Sequence, residues 1–116
     1  MKHQEDDEQQ ALFEWAGYVP ELRWMFAIPN GGKRNIREAA RFKKQGVKAG
    51  VSDVVQPLPR GKYCGLYIEM KRSTGQTHVT AAQNDFITAM REAGYKAVIC
   101  HGFEEAKSTI EDYLKL

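Results

Sequence analysis

Residues 66–75, LYIEMKRSTG, predict a β-strand with an apolar face and a face that carries an acid and a base. Alternate side chains of a strand point to opposite faces, so the apolar positions from Leu66 to Met70 form one face. Glu69 and Lys71 share the other face, about 7 Å apart along the strand. In isolation, an acid and a base at this spacing are more simply a weak ion pair on a solvent-facing strand.

Periodicity and turn residues on either side of this strand predict the remaining elements. A shorter strand before it, residues 51–56, forms a β-hairpin with it across a loop rich in proline and glycine. The element order α-β-α-β-β-α-β-α predicts an α/β fold for residues 1–116, one domain with a mixed central β-sheet flanked by helices. The predicted helices span about 5–16, 35–45, 79–93 and 103–113, and the other strands span about 21–28 and 95–100.

Composition limits the class of protein. Of the 116 residues, 42% are hydrophobic and 28% are charged, which is ordinary for a soluble globular protein. Cys64 and Cys100 are too few for a disulfide framework or a cysteine-based zinc site, so we expect two buried free thiols in a reducing cytoplasm. No apolar run approaches the roughly 20 residues of a membrane helix, and no signal peptide is expected.

Basic residues are concentrated in one part of the chain, although the net charge is only +2. Seven of the 17 Lys and Arg lie between positions 33 and 48, where Glu38 is the one acid. Five of them step by three or four residues and would align on one face of the predicted second helix. A solvated helix face is the simpler alternative, but five like charges repel each other, so we expect contacts with DNA phosphates. The predicted DNA-binding residues here are Arg34, Arg37, Arg41, Lys44 and Lys48.

Asp53 gives the acid and base of the hairpin a chemical meaning. Aspartate is depleted in strands, and the predicted hairpin brings Asp53 towards Glu69. Two adjacent carboxylates repel unless one is protonated or a cation neutralises them. Oxygen ligands without nearby His or Cys suit a hard ion, so we expect Mg²⁺ or Mn²⁺, with Lys71 stabilising charge that develops on a phosphate.

The pattern D-x(15)-E-x-K resembles the active-site motif of the PD-(D/E)XK nuclease superfamily. Ser52 stands before Asp53 where the superfamily's name has proline. The motif alone is weakly specific, but five sequence blocks occur in the order of the VRR-NUC family, and together they are highly specific. The blocks are EQQALFEWA (8–16), PNGG (29–32), KKQGVKAGVSDVV (43–55), GLYIEMKRSTG (65–75) and TAAQNDF (80–86).

This resemblance implies a restriction-endonuclease-like fold and a Mg²⁺- or Mn²⁺-dependent DNA endonuclease that leaves a 5′-phosphate and a 3′-hydroxyl. Stand-alone members are encoded by phages and prophages in bacterial hosts and are similar to Holliday-junction resolvases, whereas other members belong to DNA-repair nucleases. We therefore expect structure-directed cleavage by a homodimer, because cutting two strands calls for two active sites. A non-catalytic DNA-binding module, or a nuclease subunit of a larger replication or repair assembly, stays open as an alternative.

The resemblance also implies roles for individual residues. Asp53, Glu69 and Lys71 would be catalytic, and the two acids would hold the metal with the backbone carbonyl of Met70. The family places a further acid on the first helix, and Glu8 is our candidate for both roles because it shares the inward face of the predicted helix. Acids also simply favour a helix N-terminus, which is the alternative explanation.

Two further positions have both a structural and a functional interpretation. Asn30 and Gly31 form a tight turn, in which glycine permits close approach to a phosphate, and the resemblance favours DNA contact. Gln83 completes a capping box that begins at Thr80, but the family keeps glutamine at the matching place near the active site. Whether Gln83 is a cap or a site residue stays open.

Overall fold

The computed structural model describes residues 4–29 and 35–116. Their elements follow the sequence-predicted order, which is confirmed. The helices are α1 (Gln4–Ala16), α2 (Ile36–Lys44), α3 (Ala81–Glu92) and α4 (Phe103–Leu114), and the strands are β1 (Phe26–Ala27), β2 (Val54–Gln56), β3 (Leu66–Lys71) and β4 (Lys96–His101).

The four strands form one mixed sheet in the order β1-β2-β3-β4. The pairs β1–β2 and β2–β3 are antiparallel, whereas β3 and β4 are parallel. A parallel pair needs a long crossover, and α3 provides it between the ends of β3 and β4. The predicted hairpin is present, with Val54 opposite Ile68.

The apolar core lies on the sheet face formed by Leu66, Ile68 and Met70. Helices α1 and α4 cover this face, and the buried side chains Leu12 and Tyr113 belong to the same cluster. These residues have almost no contact with water, so they supply most of the hydrophobic stabilisation. The core therefore fixes which face of β3 is buried by apolar packing and leaves the other face for polar residues.

Helix α3 covers the second face of β3. The ring of Tyr67 packs edge-on against Phe86 of α3, with 5.2 Å between ring centroids. Thr80 caps the helix N-terminus by accepting a hydrogen bond from the amide of Gln83, and Gly94, with φ 100°, follows its C-terminal cap. This packing holds the beginning of α3 next to the polar end of β3.

Two sequence expectations are corrected by the structure. The first strand covers only Phe26–Ala27, because Pro20–Leu22 forms a 3₁₀ turn with Leu22 buried, and this packing overrides the strand propensity. Strand β3 begins at Leu66, so Cys64 lies in the preceding loop and is exposed, whereas Cys100 is buried as expected. Across the described residues, no helix has the length and apolar composition of a membrane span.

Candidate active site

The β2–β3 hairpin brings Asp53 and Glu69 together. Continuing the register of Val54 with Ile68 by one residue places Asp53 opposite Glu69. An Asp53 oxygen, Oδ2, accepts a hydrogen bond of 2.7 Å from the amide of Met70, which fixes its carboxylate against the end of β3. The approach expected from the sequence is therefore present in the fold.

Glu69 is an unusually placed acid because only 3% of its surface is exposed. Burial, together with a hydrogen bond to Asp53 and the charge of Asp53, raises the pKa of Glu69 to about 8. The charge of Lys71 lowers the pKa, but it does not offset the other effects. Near pH 7 the Asp53–Glu69 pair therefore holds a proton, which turns a repulsive contact into a hydrogen bond.

Lys71 and Gln83 form a polar network over the acid pair. Lys71 is a buried residue, and its ammonium donates to Gln83 Oε1 at 3.1 Å and lies 4.0 Å from Glu69 Oε2. The Gln83 side chain also donates through Nε2 to Glu69 Oε2 at 3.3 Å. Strand alternation and the first turn of α3 thus place a fixed cation next to the carboxylates.

Gln83 fits both interpretations that the sequence left open. Its side-chain Oε1 accepts a hydrogen bond from the backbone amide of Thr80 at 3.0 Å. The backbone amide of Gln83 donates to Thr80 Oγ1 at 3.1 Å, and the two bonds form a complete capping box. The same side chain contacts Lys71 and Glu69. Gln83 therefore ties the helix start to the acid pair, while its predicted contact with DNA stays a prediction.

An open cavity of about 490 Å³ gives access to these groups. Its wall includes Gly50, whose φ of 85° is in the region that favours glycine. A Cβ atom at Gly50 would lie 2.5 Å from the carbonyl of Ala82, so any side chain would push the loop away from α3. The lining residues are Glu5, Ala49, Gly50, Val51, Asp53, Glu69, Lys71, Thr80, Ala82 and Gln83.

Two acids of the first helix lie at different places around the site, and the predicted metal-binding role of Glu8 stays a prediction. Glu8 accepts hydrogen bonds from the amides of Ser73, at 3.0 Å, and Phe103, at 2.9 Å. Burial raises the pKa of Glu8, but its hydrogen bonds outweigh burial and hold the pKa below its ordinary value. Its oxygens therefore tie α1 to the β3–α3 loop and to the start of α4. Glu5, one turn earlier, lines the cavity and raises the pKa of Glu69 through its charge.

The sequence favoured Glu8 because it shares the phase of the apolar stripe and precedes Gln9. The sequence does not show where α1 lies over the sheet. In the structure, the carboxylate nearest the start of α1, that of Glu5, lines the cavity. Gly50 and Thr80 were also missed as cavity residues. Local backbone geometry is enough to explain a glycine at position 50 and a threonine at position 80. Only the fold therefore reveals that both residues border the cavity.

The predicted DNA-binding residues lie mainly on an exposed helix. Helix α2 buries none of its residues, and the side chain of Asn35 caps it by accepting a 2.8 Å hydrogen bond from the backbone amide of Glu38. Arg37, Arg41 and Lys44 share one helical face. The helix ends at Lys44, so Lys48 lies beyond it in the loop that leads to Gly50. Asn30, Gly31 and Arg34 fall outside the described residues.

The acid pair has the chemistry of a site for a hard divalent cation. Apart from the proton that the pair can share, Glu69 Oε1 is a buried oxygen without a hydrogen-bond partner. In the described part of the chain, no three His, Cys, Asp or Glu residues are placed to hold a metal together. Two carboxylates fit Mg²⁺ nevertheless, because this ion usually binds one or two of them and completes its shell with water and phosphate oxygens.

Comparisons with known proteins agree with this geometry. The family model described as the VRR-NUC domain matches residues 3–104. A solved structure described as a VRR_NUC domain protein is similar at 33% sequence identity and a TM-score of 0.86, covering 100% of this chain and 92% of that one. No curated protein matches the chain. With a nuclease-type α/β fold and a family match over most of its length, the chain belongs to the VRR-NUC family.

Proposed function

We propose that the protein is a Mg²⁺- or Mn²⁺-dependent DNA endonuclease. The observation that supports this most strongly is the Asp53–Glu69 pair, in which Glu69 is buried and Asp53 half-buried, with a fixed ammonium group beside it in an open cavity. Structural ion pairs seldom combine a buried acid, a raised pKa and open access to solvent. Membership of a nuclease family makes the phosphodiester bond of DNA the natural substrate.

Asp53 and Glu69 would hold the cation, with the Met70 carbonyl as a further oxygen donor, while the charge of the more exposed Glu5 acts from the cavity wall. The bound ion would supply Lewis-acid stabilisation of the phosphate and of the leaving oxygen. The protein contributes fixed geometry: the Met70 amide orients Asp53, and Gln83 orients Glu69. Both carboxylates thus keep their position without rearrangement when substrate enters.

Lys71 would stabilise the negative charge that develops on the phosphate during attack. Its ammonium is already held at 3.1 Å by Gln83, so little reorganisation is needed at the moment of reaction. Water adds to phosphorus and the bond to the 3′ oxygen breaks, which leaves one fragment with a 5′-phosphate and the other with a 3′-hydroxyl. Lys71→Met keeps the aliphatic part of the side chain and removes the ammonium with its hydrogen bond to Gln83, so it should slow cleavage while the fold is retained.

We further propose that the basic face of α2 binds the DNA backbone. Arg37, Arg41 and Lys44 are all exposed and bear like charge along one side of the helix. The loop after α2 leads directly to Gly50 in the cavity wall, so DNA held on α2 is close to the acid pair. No base-reading group stands out, so recognition is expected to follow DNA structure rather than sequence.

A substrate panel tests this proposal. Labelled junction, flap, duplex and single-stranded DNA are incubated with the protein in Mg²⁺, Mn²⁺ or EDTA. Cleavage with a divalent metal, absent in EDTA and in Asp53→Ala, is expected, with binding of DNA retained in the variant. Exposed Glu111→Gln is the matched acid control and should cleave like the wild type. Tight binding without cleavage under every metal would instead support a non-catalytic binding module.

The oligomeric state belongs to the same proposal. A 13.2 kDa chain has one acid pair, and symmetric cleavage of a branched DNA requires two, so we propose a homodimer with a two-fold interface. Sedimentation of the wild type at the concentrations used for cleavage measures this. A stable monomer that cuts both strands of a junction within one binding event would contradict it.

A further inference from the structure

A second polar cavity lies at the other end of the sheet from the acid pair. It has a volume of about 460 Å³ and borders the outer edge of β4, the last strand of the sheet among residues 4–29 and 35–116. Three of its lining residues are cationic and none is acidic. We name it the basic groove; it is lined by Lys62, Tyr63, Arg91, Gly94, Tyr95, Lys96, Ala97 and Val98.

Two of the three cations of the basic groove lie over one aromatic ring. The ammonium groups of Lys62 and Lys96 each lie 5.5 Å from the ring centroid of Tyr63. Arg91 donates from Nε to the carbonyl of Ala97 at 2.8 Å, which leaves its terminal nitrogens for another partner. Cation–π attraction to the ring explains part of the arrangement, but it does not remove the repulsion between like charges.

These three cations have no acidic partner in the described part of the chain. Within residues 4–29 and 35–116, no carboxylate lies within ion-pair distance of Lys62, Arg91 or Lys96. An anion in the groove would relieve their mutual repulsion and accept hydrogen bonds from all three. The groove therefore has the chemistry of a phosphate-binding surface, with Tyr63 and Tyr95 as apolar walls.

The position of the basic groove suits a long polyanion that also reaches the acid pair. Lys96 begins β4 opposite Leu66, whereas His101 ends it opposite Lys71. Five steps of strand separate these ends by about 16 Å. Helix α3 spans a similar distance, from Thr80 beside the acid pair to Gly94 in the groove. At about 3.4 Å per base pair, this separation corresponds to roughly five base pairs.

We propose that the basic groove binds the phosphodiester backbone of the DNA substrate, about five base pairs from the bond that is cut. This inference rests on the proposed nuclease function and adds a second, separate contact to it. The alternative occupant, a second copy of the chain, is disfavoured because a two-fold axis here would bring the same three cations of each copy together. Binding in the groove would fix the distance between the cleavage point and a duplex arm or strand end.

Salt dependence of binding tests the proposal directly. In the Asp53→Ala background, which prevents cleavage, Lys62→Gln/Lys96→Gln is compared with Lys107→Gln/Lys115→Gln by fluorescence anisotropy on one duplex at several salt concentrations. Each phosphate that the protein no longer neutralises lowers the slope of log K against log salt by about 1, so the slope of the groove variant should fall by about 2. The control pair removes the same charge from the α4 side, where Lys107 also lies over an aromatic ring at 5.7 Å, and should keep the slope.

An exposed thiol provides an independent measure at the groove itself. Cys64 is exposed and Cys100 is buried, so a maleimide should label Cys64 alone in the folded protein. A Cβ on Gly94 of the groove would lie 3.3 Å from the Cys64 sulfur, which places the thiol at the groove wall. Duplex DNA should slow labelling of the Asp53→Ala protein severalfold. The Lys62→Gln/Lys96→Gln variant should lose this protection at equal DNA occupancy.

The outcomes separate this inference from the proposed function. The groove contact would be overturned by equal salt slopes in the groove and control variants, or by labelling of Cys64 that DNA does not slow. Cleavage by the wild type would still support the nuclease function in that case. Sedimentation showing that the groove variant alone becomes monomeric would assign the groove to a subunit interface and also overturn the proposal. Failure of the wild type to bind any DNA would overturn both.

Discussion

Replacing Glu69 with glutamine should remove a pH dependence of stability that originates in the acid pair. Burial and Asp53 raise the pKa of Glu69 from an ordinary 4.5 to about 8. Between these two values the folded protein binds more protons than the unfolded chain, so the free energy of unfolding falls as the pH rises. The stabilisation is fully present below pH 4.5 and is lost by about pH 8 to 9.

The size of the effect follows from the shift. Each pKa unit corresponds to about 1.36 kcal/mol, so the wild type should lose at most about 5 kcal/mol across this range relative to Glu69→Gln. Glutamine keeps a hydrogen-bonding side chain of the same shape but never has to ionise in a site of 3% exposure. The variant should therefore be the more stable protein at pH 9.

Urea unfolding in EDTA, followed by circular dichroism at half-unit steps from pH 5 to 9, measures this difference. EDTA removes divalent cations, which would otherwise hold the carboxylates ionised. Glu111→Gln, at an exposed site on α4, controls for the loss of one negative charge and should follow the wild type. Parallel curves for the wild type and Glu69→Gln would refute a buried, protonated pair at Asp53 and Glu69.

Four other variants test the roles of α1, of the turn before α4 and of α2. Glutamine at position 8 can accept from only one of the two backbone amides, so Glu8→Gln should lower the free energy of unfolding in urea by about 1 kcal/mol. Glu5→Gln should change the free energy of unfolding by less than about 0.5 kcal/mol but should slow cleavage. The reverse result would restore Glu8 as the site acid. Gly102→Ala should cost at least about 1–3 kcal/mol in the same assay, since φ is 93° and a Cβ would lie 2.7 Å from a Glu8 oxygen; an unchanged free energy of unfolding would contradict this. Arg37→Gln/Arg41→Gln should lower the salt slope of DNA binding by about 2, and an unchanged slope would remove α2 from the DNA surface.

Much of the fold was predictable because periodicity and turn chemistry agree along most of the chain. The capping box at Thr80, the glycine at 94 and the hairpin with Asp53 all have local signals, and the structure contains each of them. The first strand failed because burial of Leu22 in a 3₁₀ turn depends on the helix packed over it. Local propensity carries no information about that packing.

The candidate site was predictable where spacing along one hairpin determined it, as for Asp53, Glu69 and Lys71. The sequence does not show which acid of α1 lines the cavity, because the choice between Glu5 and Glu8 depends on where α1 crosses the sheet. The basic groove had no sequence signal either. Lys62, Arg91 and Lys96 come from three separate segments, and only the parallel β3–β4 pairing and the end of α3 bring them together.

The proposal that Asp53 and Glu69 form a metal-dependent site for DNA cleavage is tested by one rate. This is the rate of DNA cleavage under single-turnover conditions, measured across a Mg²⁺ titration. Wild type, Asp53→Ala and Glu111→Gln are compared on the best substrate of the panel, with excess protein so that binding is saturated. We predict that the cleavage rate of the wild type and of Glu111→Gln rises with Mg²⁺ to a plateau. The rate of Asp53→Ala should be at least about 100-fold lower. Cleavage by Asp53→Ala at the wild-type rate, or cleavage that persists in EDTA, would contradict it.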